Sequence, residues 1–136
     1  MAQGLALTTS FYWDMNDETR AWAKRFMERS SGFIPNLITA GTYASVLHYL
    51  KAVQAAGTDE GKAVAAKMRE LPLNDFYNKN VEIRPDGRVL HKSFLMKVKS
   101  PAESKYRGDY YKMMAEMSGA DSYRPLSESQ CPLVQK

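Results

Sequence analysis

The 136-residue sequence has little of what catalytic sites are usually built from: one cysteine and two histidines. His48 falls in a helical pattern beside Tyr49 and His91 in a hairpin pattern, with no cysteine or carboxylate at ligand spacing to either. Both read as structural or surface side chains, and no metal or cofactor is expected. Gly41 and Gly57 stand alone, so there is no glycine-rich phosphate loop, and no Gly-x-Ser-x-Gly elbow occurs. Asp14, Asp17 and Glu18 sit where a helix start favours negative charge, which accounts for them without paired-carboxylate chemistry. With no catalytic residue left, an enzyme is the least expected class.

Long apolar runs are also missing. Nothing approaches the ~20 residues of a membrane span, and no charged-then-apolar leader precedes Leu5, so the chain reads as soluble and without a signal peptide of its own. Its net charge of +4 comes from 19 Lys and Arg mixed among 15 Asp and Glu, with no basic block. A nucleic-acid groove needs such charge clustered on one face, so nucleic acid is not an expected partner. The lone Cys131 lies in the polar tail Ser127-Glu-Ser-Gln-Cys-Pro132 and reads as an idle exposed thiol. In an exported protein an odd cysteine would instead suggest a disulfide partner outside this sequence.

What the sequence does have is pattern. Gly4 to Ser10 reads as a short strand that empties into Phe11-Tyr12-Trp13. Asn16, Asp17 and Glu18 start a helix, Trp22 and Phe26 mark its apolar stripe, and Ser31-Gly32 stops it. Pro35-Asn36 opens a long helix whose period Tyr43, Val46, Leu47, Leu50, Val53 predicts one buried face, closed by Gly57. Thr58-Asp59-Glu60 caps a third helix, with Val64, Met68 and Leu71 on one side and Pro72 at its end. Phe76 and Tyr77 read as anchors of the following loop. Val81 to Val98 reads as a β-hairpin turning at Pro85-Asp86-Gly87-Arg88, and Tyr110 to Met114 fits either a strand or a helix, with the paired tyrosines favouring a strand at a sheet edge. A lone strand and a hairpin cannot satisfy their own edges, which suggests a sheet this chain does not fully contain.

Phe11, Tyr12 and Trp13 are the candidate ligand-binding wall, three aromatics at the exit of a strand with Thr8, Thr9 and Ser10 supplying hydroxyls. The competing reading makes at least two of them core anchors.

Taken in order, Gly4-Leu-Ala-Leu-Thr-Thr9, Phe11-Tyr-Trp-Asp14, Thr42-Tyr43-Ala44 at the head of a long helix, Ile83-Arg-Pro-Asp-Gly-Arg88, Phe94-Leu-Met-Lys-Val98 and the Tyr123-Arg-Pro-Leu126 ending resemble the C-terminal portion of branched-chain-amino-acid-type (type I) periplasmic substrate-binding proteins of ABC transporters. The resemblance implies an α/β, two-lobed flytrap fold, incomplete here because the chain would supply about the last third. It assigns 1–10 to a second-lobe strand and the first crossing, 11–91 to first-lobe helices and the hairpin, and 92–136 to second-lobe strands and the tail. It also adds Ile38, Thr39 and Ala40, with neighbouring Tyr43, to the expected cleft lining.

The function expected from this resemblance is a solute-binding component of an ABC import system. It would bind an amino acid or small organic acid between lobes, deliver it to a membrane permease, and work in the periplasm. The alternatives are a ligand-sensing regulatory module of the same fold and a basic helical adaptor protein. The chain by itself is expected to self-associate through its unpaired strand edges.

Overall fold

The computed structural model describes residues 2–134; Met1, Gln135 and Lys136, the outer ends of the expected 1–10 and 92–136 segments, lie outside them. Residues near both ends of the chain share one antiparallel sheet. Its strands are β1 (Ala6–Thr9), β2 (Ser93–Val98) and β3 (Tyr111–Met117), in the order β1-β2-β3. Between β1 and β2 the chain builds three helices, α1 (Asp17–Arg29), α2 (Leu37–Ala56) and α3 (Gly61–Glu70). A short α4 (Gly119–Ser122) and a 3-10 turn (Leu126–Glu128) follow the sheet.

The helix boundaries follow from local chemistry. Asn16 accepts the Thr19 N–H at 3.0 Å while the Thr19 hydroxyl accepts the Asn16 N–H at 3.1 Å, a reciprocal capping box. Asn36 accepts from the Thr39 N–H at the start of α2, and Gly57, at φ 66°, ends that helix in the left-handed conformation. The Glu60 carboxylate accepts the Lys62 and Ala63 N–H groups at the start of α3, which holds it below the usual carboxylate range.

The buried face of α2 differs from the expectation. Ala40, Ala44, His48 and Ala52 are buried, whereas Tyr43, Val46 and Leu50 stay largely exposed. Small side chains at i, i+4 spacing let neighbouring elements approach the helix closely, and His48 Nε2 donates to the Met68 carbonyl of α3 at 2.8 Å. Periodicity marks an apolar stripe without saying whether a partner covers it. Ala40, expected in a cleft, is instead fully buried in the core.

The hairpin is also smaller than expected. Its turn forms, with Gly87 at φ 79° and the Arg84 N–H donating to the Arg88 carbonyl at 2.9 Å, but the flanks meet only at the Ile83–Val89 bridge. Residues 93–98 instead form β2, between β1 (Thr9 opposite Phe94) and β3 (Ser93 opposite Met117), with an irregularity between Leu95 and Met96. The register puts Phe94 and Met96 inward and leaves Leu95 and Lys97 outward. Tyr111 to Met117 is a strand at the sheet edge, as its paired tyrosines suggested.

Two clusters make the core. Phe11, Trp22, Ala23 and Ala40 form one, with Phe26, Phe76 and Tyr77 packed against it. Tyr12, Phe94 and Met96 form the other, under Leu7 and Tyr111. Trp22 lies flat on Phe76, ring centroids 4.0 Å apart, and Phe11 meets Trp22 and Phe76 edge-on at 5.8 Å. The anchoring role expected of Phe76 and Tyr77 is observed.

Candidate functional site

β1 delivers the aromatic run through a tight local turn. Thr9 Oγ1 donates to the Phe11 carbonyl at 2.9 Å and accepts the Phe11 N–H at 3.3 Å, so the strand ends there and three consecutive rings diverge. Phe11 enters the helical cluster and Tyr12 the sheet cluster, while Trp13 remains half-buried between them.

The loop before β3 receives two of these rings. The Tyr12 hydroxyl donates to the Gly108 carbonyl at 2.6 Å and accepts the Tyr110 N–H at 2.9 Å; Trp13 Nε1 donates to the same carbonyl at 2.9 Å. Burial pushes the Tyr12 hydroxyl up to about 12, so it stays a neutral donor at any physiological pH. Gly108 makes this convergence possible at φ +92°, where a Cβ would lie 2.8 Å from Ile34 Cδ1 and 3.1 Å from Trp13 Nε1. Asp109 steadies the same loop by pairing with Lys99 and accepting the Lys105 N–H at 3.0 Å, and these contacts hold its carboxyl below the usual range.

Around this convergence lies a cavity of about 440 Å³. Leu7 and Thr9 of β1, the Phe11–Trp13 run, the 33–37 segment leading into α2, and residues Arg107, Tyr110 and Tyr111 line it. The size suits a small organic molecule, and the lining is mainly apolar and aromatic with a few polar groups.

The sequence-predicted residues divide. Phe11, Tyr12 and Trp13 all border this cavity, but Phe11 and Tyr12 are buried members of the two core clusters, as the competing reading expected, and Trp13 alone of the three is half-buried. Ile38, Thr39 and Tyr43 do not line it. Ile38 is 77% exposed, one residue past the cavity's Leu37, and Thr39 holds the Asn36 cap. Tyr43 lies on the outside of the helical cluster, its ring edge-on to Trp22 and Phe76. The sequence reading missed Phe33, Ile34, Arg107 and Tyr110. Their signal was weak, since Arg107-Gly108-Asp109 resembles any polar turn until the fold brings it onto Trp13.

A second, more polar cavity of about 300 Å³ opens where the chain leaves and re-enters the sheet, among Ser10, Asn78, His91, Lys92, Phe94 and Glu116. His91 Nδ1 lies 2.8 Å from Asn78 Oδ1, the ring stacks on Tyr77, and burial holds its pKa below the usual imidazole value. His48 and His91 are thus both tied into packing. Among the described residues no group of His, Cys, Asp and Glu is arranged to hold a metal ion, and no helix is long and apolar enough to cross a membrane. Cys131 is a half-buried free thiol.

A family model described as periplasmic binding protein matches residues 1–105. The chain belongs to the periplasmic binding protein family. A solved periplasmic binding protein of Burkholderia mallei is 40% identical over 98% of this chain, with a TM-score of 0.93. A branched chain amino acid ABC transporter periplasmic ligand-binding protein of Burkholderia xenovorans LB400 is 38% identical over 97%, with a TM-score of 0.91. An amino acid ABC transporter substrate-binding protein of Pseudomonas fluorescens Pf-5, 19% identical over 96% of this chain and matched over 34% of its own, shares the fold at a TM-score of 0.81. No curated protein matches the chain. The chain spans about 35% of the length of each Burkholderia protein, so it carries part of the periplasmic binding protein fold.

Proposed function

We propose that the protein carrying this chain is the solute-binding component of an ABC import system, working in the periplasm and handing an amino acid or small organic acid to a membrane permease. The observation that carries this reading is the aromatic-walled cavity of about 440 Å³ in a chain of the periplasmic binding protein family. Residues 1–10 and 92–136 belong to the second lobe in this proposal and 11–91 to the first, with crossings next to Phe11 and His91. Closure of the lobes desolvates a solute held against Trp13 beside Phe11 and Tyr12, while Ile38, Thr39 and Tyr43, which lie off that wall, belong to the surface of α2 that the rest of the protein meets on closure. No covalent chemistry takes part.

The test is titration of the full-length protein with leucine and with 4-methylpentanoate, followed by intrinsic fluorescence and calorimetry. Trp13→Ala is expected to weaken the bound probe by ~1–3 kcal/mol, the scale of a lost aromatic contact, with a small change in melting temperature. Unchanged affinity together with a strongly lowered melting temperature would make Trp13 a packing residue and remove the cavity from the binding role.

The 136-residue chain alone is proposed to self-associate. The outer edges of β1 and β3 are unpaired among the described residues, and Leu95, Met113, Met114 and Met117 of the sheet are exposed. Light scattering after size exclusion should give a dimer or larger, and a clean monomer at tens of micromolar, on the order of where weak association shows, would refute it.

A further inference from the structure

After β3 the chain leaves the sheet and turns back onto the segment that precedes β2. Gly119, at the start of α4, lies so close to that segment that a Cβ there would sit 2.1 Å from the Leu90 carbonyl oxygen and 2.7 Å from its carbon. The chain then reaches the 84–88 turn, where two arginines hold it. The Asp86 carboxylate accepts from Arg84 Nε at 3.1 Å and from Nη2, which fixes the guanidinium plane and aims Nη1 at the Arg124 carbonyl, 3.0 Å away. The Arg84 and Asp86 side chains are only 16% and 10% exposed. The Arg88 guanidinium lies over the Tyr123 ring, 5.2 Å from its centroid. Past this point comes the 3-10 turn Leu126–Glu128, and Ser129 and Gln130 border the same cavity of about 350 Å³ as Arg84 and Arg88.

These contacts join segments proposed to lie in different lobes. The 84–88 turn belongs to the first, whereas Tyr123 and Arg124 follow β3, whose Met117 pairs opposite Ser93 in the second. The link from Met117 to Arg124 is short, and its α4 part winds four residues into a helical turn, so it has little slack. A rotation that carries the 84–88 turn away from β3 therefore strains the link until its fastening lets go. That fastening is of a separable kind: a hydrogen bond and a cation–π pair beside a polar cavity, in place of interlocked apolar side chains.

We infer that residues 119–130 are a latch between the lobes. Fastened to the 84–88 turn, they hold the lobes near one mutual orientation, and the Arg88–Tyr123 contact opens before the lobes swing fully apart. The latch rests on the two-lobe reading and adds to it a device that sets how much of the ligand-free protein is open. Arg84, Arg88 and Tyr123 are positioning residues, and none of them lines the aromatic-walled cavity.

The test is the distribution of inter-lobe distances in the ligand-free full-length protein. Pulsed electron resonance measures it between spin labels on p-acetylphenylalanine, placed at the exposed positions of Lys62 in α3 and Lys112 in β3 so that no cysteine is labelled. Tyr123→Leu and Arg88→Gln should each raise the population outside the main wild-type distance by about two- to fivefold, the equilibrium factor of an exposed cation–π contact. The double variant should match either single one, because both remove the same contact, and Tyr123→Phe, which keeps the ring face, should overlay the wild type. Melting temperatures should stay near that of the wild type, since both side chains lie outside the core clusters. Lowered melting temperatures with unaltered distances would make the contact one of packing and overturn the latch. Unaltered distances around a wild type that itself samples more than one would also overturn it and leave the two lobes standing. A single sharp distance in every protein would overturn both.

Discussion

Trp22→Ala is expected to cost about 3–5 kcal/mol of folding stability, the range for removing a large buried aromatic. Only 4% of Trp22 is exposed, and its ring serves four neighbours at once. It stacks flat on Phe76 at 4.0 Å and on Phe26 at 5.5 Å, and it meets Phe11 and Tyr43 edge-on. Those contacts connect α1, α2, the 72–80 loop and the end of β1, so truncation opens a void that no single element can close. A protein of this kind has only about 5–15 kcal/mol in total, so the loss is a large share of its stability. Urea unfolding of Trp22→Ala beside Trp22→Phe measures it. A loss below about 1 kcal/mol in the alanine variant would mean that the aromatic cluster contributes far less than its packing implies.

Gly108→Ala should be nearly as damaging, for a different reason. At φ +92° any side chain pays in backbone strain, about 1–3 kcal/mol, and the added methyl would also press on Ile34 and Trp13, another ~1–3 kcal/mol. The expected total of about 2–5 kcal/mol separates into its parts in a double variant. Ile34→Val removes the Cδ1 atom that lies 2.8 Å from the new methyl, so it should recover part of the steric loss and none of the strain. Full recovery would refute the strain component. No recovery would place the clash on Trp13, whose ring is 3.1 Å away and cannot yield without giving up its bond to the Gly108 carbonyl.

The helices were legible in the sequence because their ends are local chemistry. Asn16, Asn36, Glu60 and Gly57 cap where short-range rules put caps, and the Trp22–Phe26 stripe packs inward. What failed depends on distant partners. The stripe Tyr43, Val46, Leu50 is exposed in a chain that spans about 35% of its relatives, while the alanines one step around the helix take the core. The hairpin turn was legible through Pro85 and Gly87, but the choice of β2 to pair with β1 and β3 instead of residues 81–84 is a tertiary preference. The aromatic run was conspicuous as three rings at a strand exit, and the structure puts two of them, Phe11 and Tyr12, into the core clusters. Arg107 and Gly108 were not, because nothing near them in sequence announces Trp13 and Tyr12.

The Tyr12–Gly108 bond joins groups 96 residues apart, and β1 pairs with β2 across the whole helical insertion. Loop closure costs little free energy for such a span, since each doubling of length adds only about 0.6 kcal/mol. It costs time. Packing of α2 on α3 needs only local encounters, whereas the β1–β2 pairing spans the whole helical insertion. Contacts of such long sequence separation are expected to form later than the α2–α3 contact, so within these residues the helical layer should gain hydrogen-exchange protection before the ladder Ala6–Thr9 makes with β2.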